Sequence, residues 1–99
     1  MVGLEILIRI RPEKRVEFLQ AFDMLTKLGQ TEDKCIELEL FEMVTEVNTI
    51  LWLEHWADEE SLANYYLSNK FRSLMGAIDV MGEIVRRETF YIKDESAPP

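Results

Sequence analysis

The chain has a single cysteine, a single histidine and no apolar run that would span a bilayer. Cys35 alone cannot close an internal disulfide, which excludes a disulfide-stapled scaffold and a CxxC metal site and fits a reducing, cytoplasmic setting. Arg9 and Arg11 interrupt the first apolar stretch and Glu54 the next, short of the roughly 20 residues that a membrane helix needs. The start Met1-Val2-Gly3-Leu4-Glu5 has neither a basic leader nor a small-residue cleavage site, so no signal peptide is expected. HExxH, GxSxG, GxGxxG and P-loop patterns are missing. One imidazole, His55, falls short of the Cys and His set that structural zinc prefers, and no metal or other cofactor is expected. Cys35 is a poor nucleophile, because nearby Glu37 would raise its pKa instead of lowering it.

Basic residues are scarce where acidic ones collect. Of 11 Lys and Arg against 19 Asp and Glu, none of the basic residues falls in 35–66, which holds Glu37, Glu39, Glu42, Glu46, Glu54, Asp58, Glu59 and Glu60. The net charge of −8 argues against nucleic acid, whose phosphates need a basic face. The stretch reads either as a solvated acidic edge or as a patch that meets Arg9, Arg11, Arg86 or Arg87 across a subunit interface.

What is present is one globular domain: 99 residues, 47% hydrophobic and 30% charged. Leu4, Ile6, Ile8 and Ile10 alternate with Glu5, Leu7, Arg9 and Arg11, a strand with one apolar face. Pro12 ends it and opens a helix over 12–28, carried by Val16, Phe18, Leu19, Phe22, Leu25 and Leu28 and capped by Gly29. After a polar loop, Gln30 to Lys34, a second strand sets Ile36, Leu38 and Leu40 against Glu37 and Glu39. A turn around Asn48 leads to a third, Ile50 to Trp56. Asp58 caps a helix with Leu62, Tyr65 and Tyr66 on its inner face, and Ser68 caps a further one through Phe71, Leu74, Met75 and Ile78. Gly82 ends it, and Ile84 to Ile92 forms the last strand. Residues 1–92 are thus read as the domain and 93–99 as a flexible tail.

The order βαββαβ predicts an α+β, ferredoxin-like fold: a four-stranded antiparallel sheet with its helices on one face. The other face, partly apolar and partly charged, is expected either to stay wet in a monomer or to be covered by a second copy.

Trp52, Trp56, Tyr65, Tyr66, Phe71, Met75 and Met81 make the later half rich in aromatic and sulfur side chains. They read as ordinary core, or as an apolar pocket between sheet and helices for a flat ligand. By strand parity Trp52, Glu54 and Trp56 point to one face. A carboxylate beside two indoles would be desolvated and fit to act as a general base, unless a cross-strand Arg9, Arg86 or Arg87 neutralises it.

The stretch Leu53-Glu54-His55-Trp56-Ala57-Asp58-Glu59-Glu60-Ser61-Leu62, with Tyr65 and Ser68-Asn69-Lys70-Phe71 after it, resembles the antibiotic biosynthesis monooxygenase family, within the dimeric α+β barrels. The resemblance implies a homodimer with facing sheets and a pocket in each subunit, with His55 towards the dimer side. It implies oxidation of hydroquinones, anthrones or similar small aromatics by O2 without metal or flavin, because an electron-rich anion can itself reduce O2. Glu54, Trp56 and Tyr65 would then be the catalytic residues, with Trp52, Phe22, Tyr66, Phe71 and Met75 around the ligand. Where many members have a His, this chain has Tyr65. Where anthrone-oxidising members have an Asn, it has Trp52. The Asn and His of heme-degrading members fall at about Ile6 and Met75, so heme degradation is not expected. The alternative is a dimer of the same fold that binds a small ligand or a protein without turnover.

Overall fold

The computed structural model of the chain describes residues 1–27 and 35–92. The chain runs β1 (Val2–Ile10), a 3-10 turn (Pro12–Lys14), α1 (Arg15–Lys27), β2 (Cys35–Glu42), β3 (Thr49–Trp56), α2 (Glu59–Tyr66), α3 (Asn69–Met81) and β4 (Gly82–Tyr91). The strands form one sheet in the order β2-β3-β1-β4, antiparallel at every pairing. This is the expected ferredoxin-like α+β arrangement. Each crossover skips one strand, which is how two parallel pairs sit inside an antiparallel sheet. The Gly29 cap, the polar loop over 30–34 and the tail 93–99 lie outside the described residues. No described helix is long and apolar enough to cross a membrane.

The two central strands, β1 and β3, carry the core. Leu4, Ile6, Ile8 and Ile10 are fully buried, as are Ile50, Trp52 and Trp56 from β3, under Phe18 of α1, Leu62 and Tyr65 of α2, and Phe71 and Ile78 of α3. Truncating Ile6 to Ala would cost about 2–5 kcal/mol, because a site enclosed by strands and helices collapses poorly. The turn between β2 and β3 closes on Asn48, whose φ of 56° is left-handed and which Asn tolerates better than most residues. Asp58 accepts from the Ser61 N–H at 2.7 Å and Ser68 from the Phe71 N–H at 3.1 Å, so both predicted caps form.

Three details depart from the sequence reading. The helix predicted from Pro12 starts as a 3-10 turn, and Val16 and Leu19 face solvent, Val16 at 65% exposure. The inner face of α1 is narrower than its apolar spacing suggests. Ile36 is also exposed, at 57%: the β2–β3 register shifts between Cys35 and Glu37, which leaves Ile36 as the extra, unpaired residue of a bulge. β4 begins at Gly82 rather than Ile84, and its register against β1 shifts between Leu7 and Ile8.

The face away from the helices carries Glu5, Leu7 and Arg9 of β1 with Leu51, Leu53 and His55 of β3. His55 Nδ1 stands 3.0 Å from Glu37, and the Phe90 ring meets the His55 ring edge to face at 6.2 Å while lying over Gly3. Arg9 pairs with Glu83 at 2.8 Å and Arg86 with Glu5 at 3.0 Å. These two arginines find carboxylates within one chain.

Candidate functional site

β3 places every second side chain under the helices, so Trp52, Glu54 and Trp56 form one row on the inner face. Glu54 is 3% exposed. A carboxylate so far from water must be satisfied by donors, and here the donors are its neighbours in the row and one helix residue. Trp52 Nε1–H donates to Glu54 Oε2 at 2.6 Å, Trp56 Nε1–H to Oε1 at 2.8 Å, and the Tyr65 hydroxyl to Oε2 at 3.2 Å. The cross-strand arginine does not arise: Arg9 and Arg86 lie on the other face with their own partners, and Arg87 sits over the Tyr66 and Phe71 rings at 5.6 and 5.4 Å.

Burial pushes the Glu54 carboxyl above its ordinary value, and the hydrogen bonds from Trp52, Trp56 and Tyr65 pull part of the way back. Desolvation dominates because neutral donors stabilise an anion less than a full positive charge does. The chemical character is a carboxylate prepared to take a proton. A carboxylate has about four lone-pair sites; Oε2 uses two of its own, and Oε1 accepts from Trp56 alone among the described residues, leaving it able to receive one more donor.

Beside this row lies a cavity of about 330 Å3, at the small end of the range in which proteins hold ligands, ~300–1,000 Å3. Trp52, Glu54 and Trp56 form its sheet wall and Phe18 and Phe22 its α1 side, with Tyr65 also at its surface. The Trp56 and Tyr65 rings lie 4.6 Å apart at 32°, and Phe22 meets Trp52 edge to face at 5.3 Å. The structure therefore brings together Glu54, Trp56, Tyr65, Trp52 and Phe22.

Tyr66, Phe71 and Met75 are not on the cavity surface, contrary to the sequence expectation. Tyr66 follows Tyr65 by one residue, about 100° round the helix, and its hydroxyl bonds Thr89 Oγ1 at 2.7 Å. Phe71 fills the core beneath it, and Met75 Sδ accepts from Arg87 at 3.9 Å. They build a second cluster, between helices and β4. Residues the sequence reading did not assign to a pocket also line the cavity, Lys70, Ser73, Leu74, Ala77 and Ile78, alongside Met81, which it had offered as a pocket candidate. Their three-and-four spacing along α3 was a legible signal, obscured because only its aromatic and sulfur members were counted.

The sequence profile described as antibiotic biosynthesis monooxygenase matches residues 1–76. A Bacillus subtilis (strain 168) protein, YcnE, which carries a provisional monooxygenase name, is 39% identical over 62 residues, 63% of this chain and 65% of its own length. The aligned part thus spans about two-thirds of that relative. Among solved structures, a conserved protein of unknown function from Bacteroides thetaiotaomicron superposes with a TM-score of 0.75 at 26% identity, over 90% of this chain and 94% of its own. A variant of SnoaB, a cofactor-independent oxygenase from Streptomyces nogalater, gives 0.78 at 12% identity over 94% and 93%; at that identity the likeness is one of fold.

Proposed function

The chain belongs to the antibiotic biosynthesis monooxygenase family, and on that footing we propose that it is a homodimeric, cofactor-independent monooxygenase acting with O2 on a small aromatic compound of the hydroquinone or anthrone kind. The observation that carries the reading is the buried Glu54 carboxylate, tied to two indoles and a phenol at the wall of an aromatic cavity.

Glu54 takes the proton of the bound hydroxyl or enol through Oε1. The O–H bond breaks, its electron pair stays on the ring, and the resulting anion is electron-rich enough to pass one electron to O2. Radical recombination forms a C–O bond, and the ring-bound peroxide takes the proton back from Glu54. Loss of the proton on the same ring carbon with cleavage of the O–O bond expels water and leaves a carbonyl, so one oxygen atom enters the product and the other leaves as water. Trp56 and Tyr65 hold the ring, Trp52 and Phe22 close the apolar end, and the dry walls keep the anion from being reprotonated by solvent. Two such subunits pack sheet to sheet through Leu7, Leu51 and Leu53, with His55 at the rim, which covers the face the helices leave open.

Oxygen uptake with a panel of hydroquinones and anthrones tests this. Saturable uptake that drops at least tenfold in both Glu54→Gln and Trp56→Phe is expected, since a positioned base contributes roughly 10²–10⁴-fold. Full turnover in both variants would sink the assigned roles. One observation favours a second reading, a ligand-binding dimer without turnover: the two indoles and the phenol at the cavity wall already give Glu54 three donors. Ligand binding with no uptake across the panel is the result that selects it.

A further inference from the structure

The inner row of β3 holds Glu54 between two indoles, Trp52 two residues before it and Trp56 two residues after. Strand parity alone would make these donors equivalent, one for each oxygen of the carboxylate. The Tyr65 hydroxyl breaks that symmetry, because it joins Trp52 on Oε2 and leaves Oε1 to Trp56. The bond from Trp52 is also the shortest of the three, at 2.6 Å against 2.8 and 3.2 Å. Trp52 is itself confined: it is buried, it stands opposite Ile6 of β1 and Leu40 of β2, and Phe22 meets its ring edge to face. A donor so enclosed cannot follow a carboxylate that turns.

We infer that Trp52 is a positioning residue of this site: its indole N–H, with the Tyr65 hydroxyl, fills both lone pairs of Glu54 Oε2 and so fixes Oε1 as the oxygen that exchanges a proton with the ligand. It acts through Glu54 and not on the reacting atoms. This deepens the proposed reaction and rests on that reading for the use made of the base. A proton arriving at Oε2 would have to displace a donor, whereas Oε1 has a lone pair to give. The same bond favours the ionised carboxyl against burial, which favours the neutral one. Leu4 of β1 and Leu38 of β2 flank Glu54 in the sheet, and α2 brings Tyr65. The cavity lining adds Cys35 and Glu37 of β2 and Lys70 of α3, while the described α1 residues there are not titratable. The Glu54 carboxyl answers to burial first and then to the three donors, Trp52 before the others.

The test is a pH titration of the 15N-labelled protein, which has one indole N–H resonance for each of its two tryptophans. Both are expected to move with one shared midpoint above the ordinary carboxyl value of 4.5. The larger change falls on Trp56, whose acceptor oxygen takes the proton. Trp52→Phe keeps a ring against Phe22 and removes the donor. Losing a bond to the anion favours the neutral acid, so the midpoint read from Trp56 should rise. The rise is about one pH unit, the share of one donor where two or three bring a carboxylate below about 2. The acid limb of oxygen uptake should climb with it. Ile6→Val loosens the core beside Trp52 without touching a donor, so it should lower the thermal midpoint and leave the resonance midpoint in place. Should Trp52→Phe not fold, Tyr65→Phe takes the other donor from Oε2, and a smaller rise at both indoles is expected from the longer bond; no rise overturns the paired anchoring. In wild type alone, a Trp52 resonance that does not titrate with Trp56, or that changes more than Trp56, overturns the inference, as does an unmoved midpoint in Trp52→Phe. A raised midpoint with no uptake on any quinol leaves this inference standing and the oxidation reading fallen; uptake with an unmoved midpoint does the reverse.

Discussion

Trp52 Nε1 and Glu54 Oε2 lie 2.6 Å apart, two residues along the same strand and pointing the same way. The short hydrogen bond joins the core to the cavity, since one partner packs the sheet while the other is the charged group at the wall. A change at Glu54 should therefore be felt in stability as well as in chemistry.

Glu54→Gln tests the stability side. The introduced amide has one oxygen to accept from Trp52 and Tyr65, which leaves its NH2 facing the Trp56 N–H, donor against donor. A buried donor without a partner costs about 1–3 kcal/mol, so urea unfolding should show a loss of that size. An unchanged midpoint and slope would mean that the indoles do not depend on the carboxylate.

The pH dependence follows from the sign of the Glu54 shift. Burial raises its folded-state pKa above the ordinary value of 4.5, so the folded chain binds this proton more readily than the unfolded chain does. The contribution to stability is complete below the unfolded value and declines as pH rises through the folded one. The stability of wild type minus that of Glu54→Gln, followed from about pH 5 to about pH 8, should move against wild type as pH increases. A flat difference would show that the carboxyl titrates alike in both states.

Gly82 ends α3 and begins β4, where the strand comes back against β1. A Cβ there would run into the Arg9 carbonyl oxygen, and backbone cannot step aside as a flexible side chain can. Gly82→Ala should destabilise by at least the 1–3 kcal/mol or so of an overpacked site, read as a lowered melting midpoint. A neutral result would mean that the β1–β4 register gives way there.

Leu53 sits on the open face between Glu5 and Glu39. Leu53→Lys suits a monomer, because the new charge lies between two carboxylates, yet it is costly in a sheet-to-sheet dimer, where it would be buried. Sedimentation equilibrium should give a dimer for wild type and a largely dissociated variant of near-wild-type fold. A wild-type monomer, or an unaffected dimer, would remove the facing-sheet assembly.

Much of the fold was legible because alternation and capping are local. Leu4 to Ile10, Asp58 and Ser68 behave as their neighbours dictate. The row Trp52, Glu54, Trp56 was legible for the same reason: parity along a strand needs no tertiary knowledge. Ile36 was not, because a bulge is decided by how β2 fits β3 rather than by β2 itself. Tyr66, Phe71 and Met75 were assigned by residue type, whereas their direction is set by helix phase. Lys70 on the cavity wall was not legible because a lysine in the first turn of a helix reads as solvated, and its neighbours are set by how α3 packs.

The chain has two tryptophans, and both indole N–H groups end on the same carboxylate. Every photon of indole emission therefore originates within a hydrogen bond of Glu54, with no distant chromophore to dilute the signal. Protonating that carboxyl or docking a ring against it changes the surroundings of both emitters together. The protein carries its own optical electrode at the most buried charge among its described residues.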